Sequence, residues 1–125
     1  MVSLIFALII IHWIGDFVLQ THWQASNKSK NWWALSGHVA TYTGALAILT
    51  SVTLLIIPGL AVTGIAAFIS WVLLNGVLHF ATDAVTSRIT SRLFGKDWHN
   101  FFVVVGLDQV IHYVTLFATA LWLLA

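Results

Sequence analysis

Three apolar stretches of this chain each carry a histidine and an aspartate four residues apart: His12/Asp16, His79/Asp83 and Asp108/His112. A fourth apolar stretch opens with His38. An ionisable group at the centre of a bilayer costs about 3 kcal/mol unless it is paired, hydrated or bound to an ion. The chain has only four acidic residues and commits three of them to these positions. A spacing of four sets both side chains of a pair on one helical face, one turn apart. Such an arrangement is that of ligands, and it calls for a metal.

The surroundings of these pairs read as membrane. Hydrophobic residues make up 60% of the chain and charged ones 7%, with a mean hydropathy of +0.96. Soluble domains carry about 25% charged residues, so this chain cannot cover a water-facing surface. Its 125 residues make a single domain. A spanning helix needs roughly 20 mostly apolar residues, and four stretches qualify, about Val2 to Gln20, Ala34 to Ile57, Gly59 to Phe80 and Phe101 to Leu124. The expected fold is an all-α, four-span helical bundle. The apolar start, Met1 to Ile11, has no basic residue before it and is interrupted by His12 and Asp16, so it reads as a retained first span. Pro58-Gly59 is the tight turn between the second and third spans.

The other two connections, Thr21 to Trp33 and Ala84 to Asn100, hold nearly all the remaining polar residues. In the second, Val85, Ile89 and Leu93 keep helical spacing, as do Arg88 and Arg92, which predicts that the third helix runs on along the interface. Both long connections fall on one side of the bundle. Up-and-down topology then brings His12, Asp16, His38, His79, Asp83, Asp108 and His112 into one layer near that side. All five cations, Lys28, Lys30, Arg88, Arg92 and Lys96, lie there too. The positive-inside rule makes that side cytoplasmic and places both termini outside. With no basic run and a net charge of +1, a nucleic-acid partner has no support.

Without cysteine, any metal must be held by nitrogen and oxygen. Imidazole and carboxylate suit zinc, manganese or iron. Four histidines and three aspartates exceed the four ligands of one tetrahedral zinc. They fit two metals with a bridging carboxylate, or one metal with an elaborate supporting shell. Gln20, Asn75 and Gln109 lie beside the ligands or one turn away, placed to hydrogen-bond them or a substrate. The competing account is interhelical glue, contributing about 0.6 kcal/mol per polar pair, which serine, threonine or asparagine would supply at less risk. Arg88 and Arg92 could clamp a phosphate with two planar forks; snorkelling to the interface explains them as well. His22, His99 and Asp97 read as loop groups, and most of the seven tryptophans as interfacial belts.

The run His12-Trp13-Ile14-Gly15-Asp16-Phe17-Val18-Leu19-Gln20, with Asp108-Gln109-Val110-Ile111-His112 near the end, resembles a family of small bacterial and phage membrane proteins of unknown function. The resemblance covers essentially the whole chain. It implies that His12, Asp16, Gln20, His38, His79, Asp83, Asp108, Gln109 and His112 form one functional set in a bacterial inner membrane. More loosely, the pattern looks like membrane-bound metal-dependent hydrolases, although with no glutamate the chain lacks the acid/base of the zincin kind.

The expected function is hydrolysis of a lipid or amphiphilic phosphate ester at a metal site of one or two ions, with Asp16 or Asp108 as general base. Membrane lipid is the expected partner. Ion or proton transport, and an accessory role in a homo-oligomer or larger membrane complex, are the alternatives.

Overall fold

The computed structural model describes residues 2–57 and 64–123, so the Pro58-Gly59 turn lies outside the described residues. The described residues contain no strand. Helix α1 spans Val2–Trp13 and runs directly into a π turn at Ile14–Val18. A short helix α2, His22–Asn27, follows, and then three long helices, α3 at Trp32–Ile56, α4 at Ile65–Leu93 and α5 at Trp98–Leu123. These three are long and apolar enough to cross a membrane. The apolar segment Val2–Val18 is shorter, and a fourth span is not established.

Local chemistry explains the boundaries. Thr21 accepts from the Gln24 backbone N–H at 3.2 Å while the Gln24 side chain accepts from the Thr21 N–H at 2.9 Å, a reciprocal cap that starts α2 within the first connection. The Asn31 side chain accepts from the Trp33 and Ala34 N–H groups and so fixes the start of α3. The Asp97 carboxylate accepts from the Asn100 backbone and side chain, which caps α5 and holds that carboxyl below its ordinary range. Gly95, at φ 73°, takes the left-handed turn that ends α4.

As the spacing of Val85, Ile89 and Leu93 predicts, α4 continues unbroken past the apolar stretch through Ala84 to Leu93, which shortens the second connection. Thr82, Thr86 and Thr90 each return their hydroxyl to a carbonyl one turn back, so these polar residues add no competing donor to the helix.

The helices form a closed ring in the order α1, α3, α4, α5. One half is apolar, packed around the fully buried Trp71 with Leu4, Leu8, Leu46 and Leu116. Apolar side chains such as Ile48, Leu55, Ile65, Val77, Phe102 and Val114 face outward. An outer surface of this kind suits lipid and not water. Close contact of α3 with α4 depends on Gly76, where a Cβ would meet Thr43 Oγ1 at 2.7 Å. Thr43 is stiff at χ1 and its hydroxyl is engaged with the Val39 carbonyl. Gly76→Ala is therefore expected to cost about 1–2 kcal/mol, read as a lower thermal midpoint of the detergent-solubilised protein; an unchanged midpoint would show that the α3–α4 contact relaxes freely.

Candidate metal centre

The other half of the ring holds the polar layer. His12, Asp16, His38, His79, Asp83 and His112 are all at most 3% exposed. They come from all four helices of the ring: α1 with its π turn supplies two, α3 one, α4 two and α5 one. In the π turn the Leu19 N–H reaches the Ile14 carbonyl five residues back at 2.9 Å. This wider turn swings Asp16 around the helix axis relative to His12. Gly15 permits the approach, since a Cβ there would lie 3.0 Å from the Tyr42 ring.

Asp16, His38, His79 and Asp83 each direct one ligand atom to a common point, all within 4.8 Å of one another. The His38 Nε2 lies 3.1 Å from His79 Nε2, 3.1 Å from Asp16 Oδ1 and 3.2 Å from Asp83 Oδ2. His79 Nε2 lies 3.4 Å from Asp16 Oδ1 and 3.8 Å from Asp83 Oδ2. A tetrahedron with metal–ligand bonds of 2.0–2.1 Å has edges of about 3.3–3.4 Å, so four of these five edges fall within a few tenths of an ångström of that geometry.

Asp16 Oδ1 is buried and accepts no hydrogen bond despite its two imidazole neighbours. An orphaned carboxylate oxygen costs heavily in an apolar interior, and a cation at the common point would satisfy it. The Nδ1 atoms of His38 and His79 are also buried without partners, so only what sits at Nε2 can fix the tautomer.

A second group shares Asp16 and adds Asp108 and His112. His112 Nε2 lies 3.4 Å from Asp108 Oδ1 and 3.1 Å from Asp83 Oδ1. Asp108 is the most open of these carboxylates, at 16% exposure. Its Oδ1 accepts from Thr86 at 2.5 Å and its Oδ2 from Gln109 at 3.0 Å. The buried groups could hold a metal ion, and Asp16 is common to both.

His12, read from the sequence among the ligands, stands outside both groups. Its Nδ1 is 3.2 Å from the Tyr42 hydroxyl and its Nε2 3.3 Å from Gln109 Oε1 and 3.5 Å from Asp16 Oδ2. It orients Gln109, which in turn donates to Asp16 at 3.3 Å. Asn75 lies further into the apolar half, donating to the Trp71 carbonyl and to Thr119. Arg88 stacks over Trp32 and bonds the Ala84 carbonyl.

A cavity of about 640 Å³ opens beside the cluster. Asp16, Asp83, Asp108 and Gln109 form its polar floor, Phe17, Phe94, Phe101 and Val105 part of its apolar wall, and Gln20 and Lys28 contribute polar atoms. Arg88 and Arg92 are not in its lining. The cation that reaches the cluster is Lys28, whose Nζ donates to Asp83 Oδ2 at 2.8 Å.

Three residues the sequence reading passed over therefore matter. Tyr42 follows His38 by one turn, and Thr86 follows Asp83 by three residues, so both share a ligand face that spacing alone could have flagged. Lys28 had no such signal, because the short helix that aims it is set by a cap and not by hydrophobic period.

The fold and the cluster thus define an all-helical protein with membrane-type spans and a buried His/Asp centre able to bind metal. The chain belongs to the family described as "Protein of unknown function (DUF3307)", which it matches over residues 4–125. No curated protein and no solved structure shows significant similarity to it.

Proposed function

We propose that this protein is a metal-dependent membrane hydrolase acting on a lipid or other amphiphilic phosphate ester. The observation that carries the reading is the cavity, which joins an apolar wall to a floor of buried carboxylates at the metal-competent cluster. A substrate with an acyl tail and a polar ester fits both surfaces. Asp16, His38, His79 and Asp83 would form a closed four-ligand position. Asp16, Asp108 and His112 would form a three-ligand position with room for water and substrate, the pattern of catalytic sites. Zinc, manganese or iron there would polarise the phosphoryl oxygen and acidify water.

The remaining work falls to the chain. Asp108, the most open carboxylate, accepts the proton of the attacking water, with Thr86 and Gln109 holding its orientation. His12, through Gln109, keeps Asp16 in place. The phosphate-holding role that the sequence offers to Arg88 and Arg92 passes in this reading to Lys28, which lines the cavity as they do not. Transport is the weaker reading, because among the described residues Leu4, Leu8, Leu46, Trp71 and Leu116 pack the other half of the ring with apolar side chains.

The looser likeness to membrane-bound metal-dependent hydrolases agrees with this chemistry, and a bacterial inner membrane is the proposed location. Elemental analysis followed by turnover of a lipid extract by metal-replete protein tests the proposal. Release of phosphate or of a headgroup is expected. No turnover, combined with metal-ion flux in proteoliposomes, would replace the hydrolase with a transporter.

In the same reading the cavity faces the cytoplasm and the termini lie outside, since every lysine and arginine sits at the cavity end. Cysteines placed at Lys30 and Lys96 are expected to resist an impermeant thiol reagent in intact cells and to react after permeabilisation. Labelling in intact cells would reverse the orientation.

A further inference from the structure

Lys28 occupies an unusual position. It sits at the end of α2, only 19% exposed, with its ammonium on Asp83 Oδ2, the same oxygen that helps form the four-ligand group. An ammonium and a metal ion cannot both hold that oxygen at bonding distance without mutual repulsion. Nearby in the cavity lining, Ser87 is 9% exposed with a buried hydroxyl that has no partner, and Gln20 Oε1 is likewise buried and unpartnered. Unsatisfied buried polar atoms in a cavity wall call for a polar occupant.

We propose that Lys28 and Ser87 form an anion subsite for a phosphate group beside the metal centre, and that metal entry frees Lys28 from Asp83 to serve it. The inference rests on the metal reading above but not on hydrolysis. Charge supports it. Without metal, the carboxylates of Asp16, Asp83 and Asp108 line the same cavity and oppose an incoming phosphate. Two divalent ions more than offset the three carboxylates, and the released ammonium adds to the excess. A phosphate monoester dianion then restores neutrality in a low-dielectric site. Lys28 and the Ser87 hydroxyl supply donors to its oxygens, and Gln20 Oε1 accepts from a hydroxyl or ammonium elsewhere on the headgroup. Lys28 is therefore a placeholder cation without metal and a substrate-holding cation with it.

The test uses the full chain in detergent or nanodiscs, with zinc or manganese affinity measured by chelator competition and inorganic phosphate binding by calorimetry. Lys28→Met is expected to bind metal about tenfold more tightly than wild type, because no ammonium has to be displaced. It is also expected to lose phosphate binding about tenfold or more when metal-loaded. Lys28→Arg should keep most of the phosphate binding, and Ser87→Ala should weaken it several-fold. Wild type without metal should bind phosphate poorly.

Nanodiscs containing a phosphate-monoester lipid, compared with free phosphate, tell whether the anion comes from a headgroup or from solution; binding of either supports the subsite. Equal phosphate binding by loaded wild type and Lys28→Met would overturn the proposal, as would weaker metal binding in Lys28→Met, the result expected if Lys28 only anchors α2. Wild type that binds no metal at all removes the metal reading, and this subsite with it.

Discussion

Asp83→Ala and His79→Ala are each expected to lower metal affinity by about a hundredfold while the helices still form and insert. The magnitude follows from sharing a typical structural-site binding free energy of about 10–16 kcal/mol among four ligands, roughly 3 kcal/mol each. Both residues lie at the centre of the four-ligand group, and His79 Nε2 is within 3.1–3.8 Å of the other three ligand atoms. Insertion is governed by the apolar spans, and deleting a polar group from one of them opposes nothing in that process. Asp83→Ala has an added consequence, since it also takes the counter-charge from Lys28. His79→Ala leaves that ion pair intact, so the two variants separate loss of a ligand from loss of local charge balance. Metal stoichiometry by elemental analysis and affinity by chelator competition are the measurements. Unchanged values in both variants would show that the cluster is hydrogen-bonding glue between helices. His12→Ala, by contrast, should weaken binding about tenfold, because His12 stands outside the four-ligand group and supports Asp16 through Gln109 and from 3.5 Å away.

The polar layer was legible because topology is coarse and robust. Alternating helix direction brings the ends of α1 and α4 and the starts of α3 and α5 to one side, whatever the exact boundaries. That Asp16, His38, His79 and Asp83 meet in one buried cluster followed from residue type and depth. What could not be read was rotation about each helix axis.

The four-residue spacing places His12 and Asp16 on one face of an ideal α-helix, but the π turn at Ile14–Val18 changes the angle between them. Asp16 meets His38 and His79, and His12 meets Tyr42. No hydrophobic period announces a π turn; Gly15 against the Tyr42 ring is its sequence correlate and is visible only once the packing partner is known. The extension of α4 was legible from the spacing of Val85, Ile89 and Leu93. Threonine, serine and arginine from Thr86 to Arg92 look like a loop by composition, yet the hydroxyls of Thr86, Thr90 and Ser91 bond back along the helix and Arg88 lies on Trp32. Lys28 illustrates a further limit, for a long-range ion pair across 55 residues leaves no local pattern.

Asp108→Asn is expected to reduce phosphate-ester turnover by about 10²–10⁴-fold, the usual contribution of a positioned general base. The amide keeps the shape of the carboxylate and can still accept from Thr86, so the cavity floor should survive the change. It cannot take a proton from water. Asp108 is the residue where this matters, because Asp16 and Asp83 are 3% and 2% exposed and committed to the four-ligand group, whereas Asp108 stands at 16% exposure in the cavity lining. Metal content distinguishes its two assigned roles. Turnover lost with stoichiometry retained identifies proton transfer as the main contribution; turnover lost together with one of two metals identifies ligation in the group shared with Asp16 and His112. The pH profile adds an independent reading, since a general base imposes an acidic limb on kcat that the asparagine variant should lack. Wild-type turnover in Asp108→Asn would remove this residue from the chemistry and return the search for a base to Asp16, the only other carboxylate of the second group.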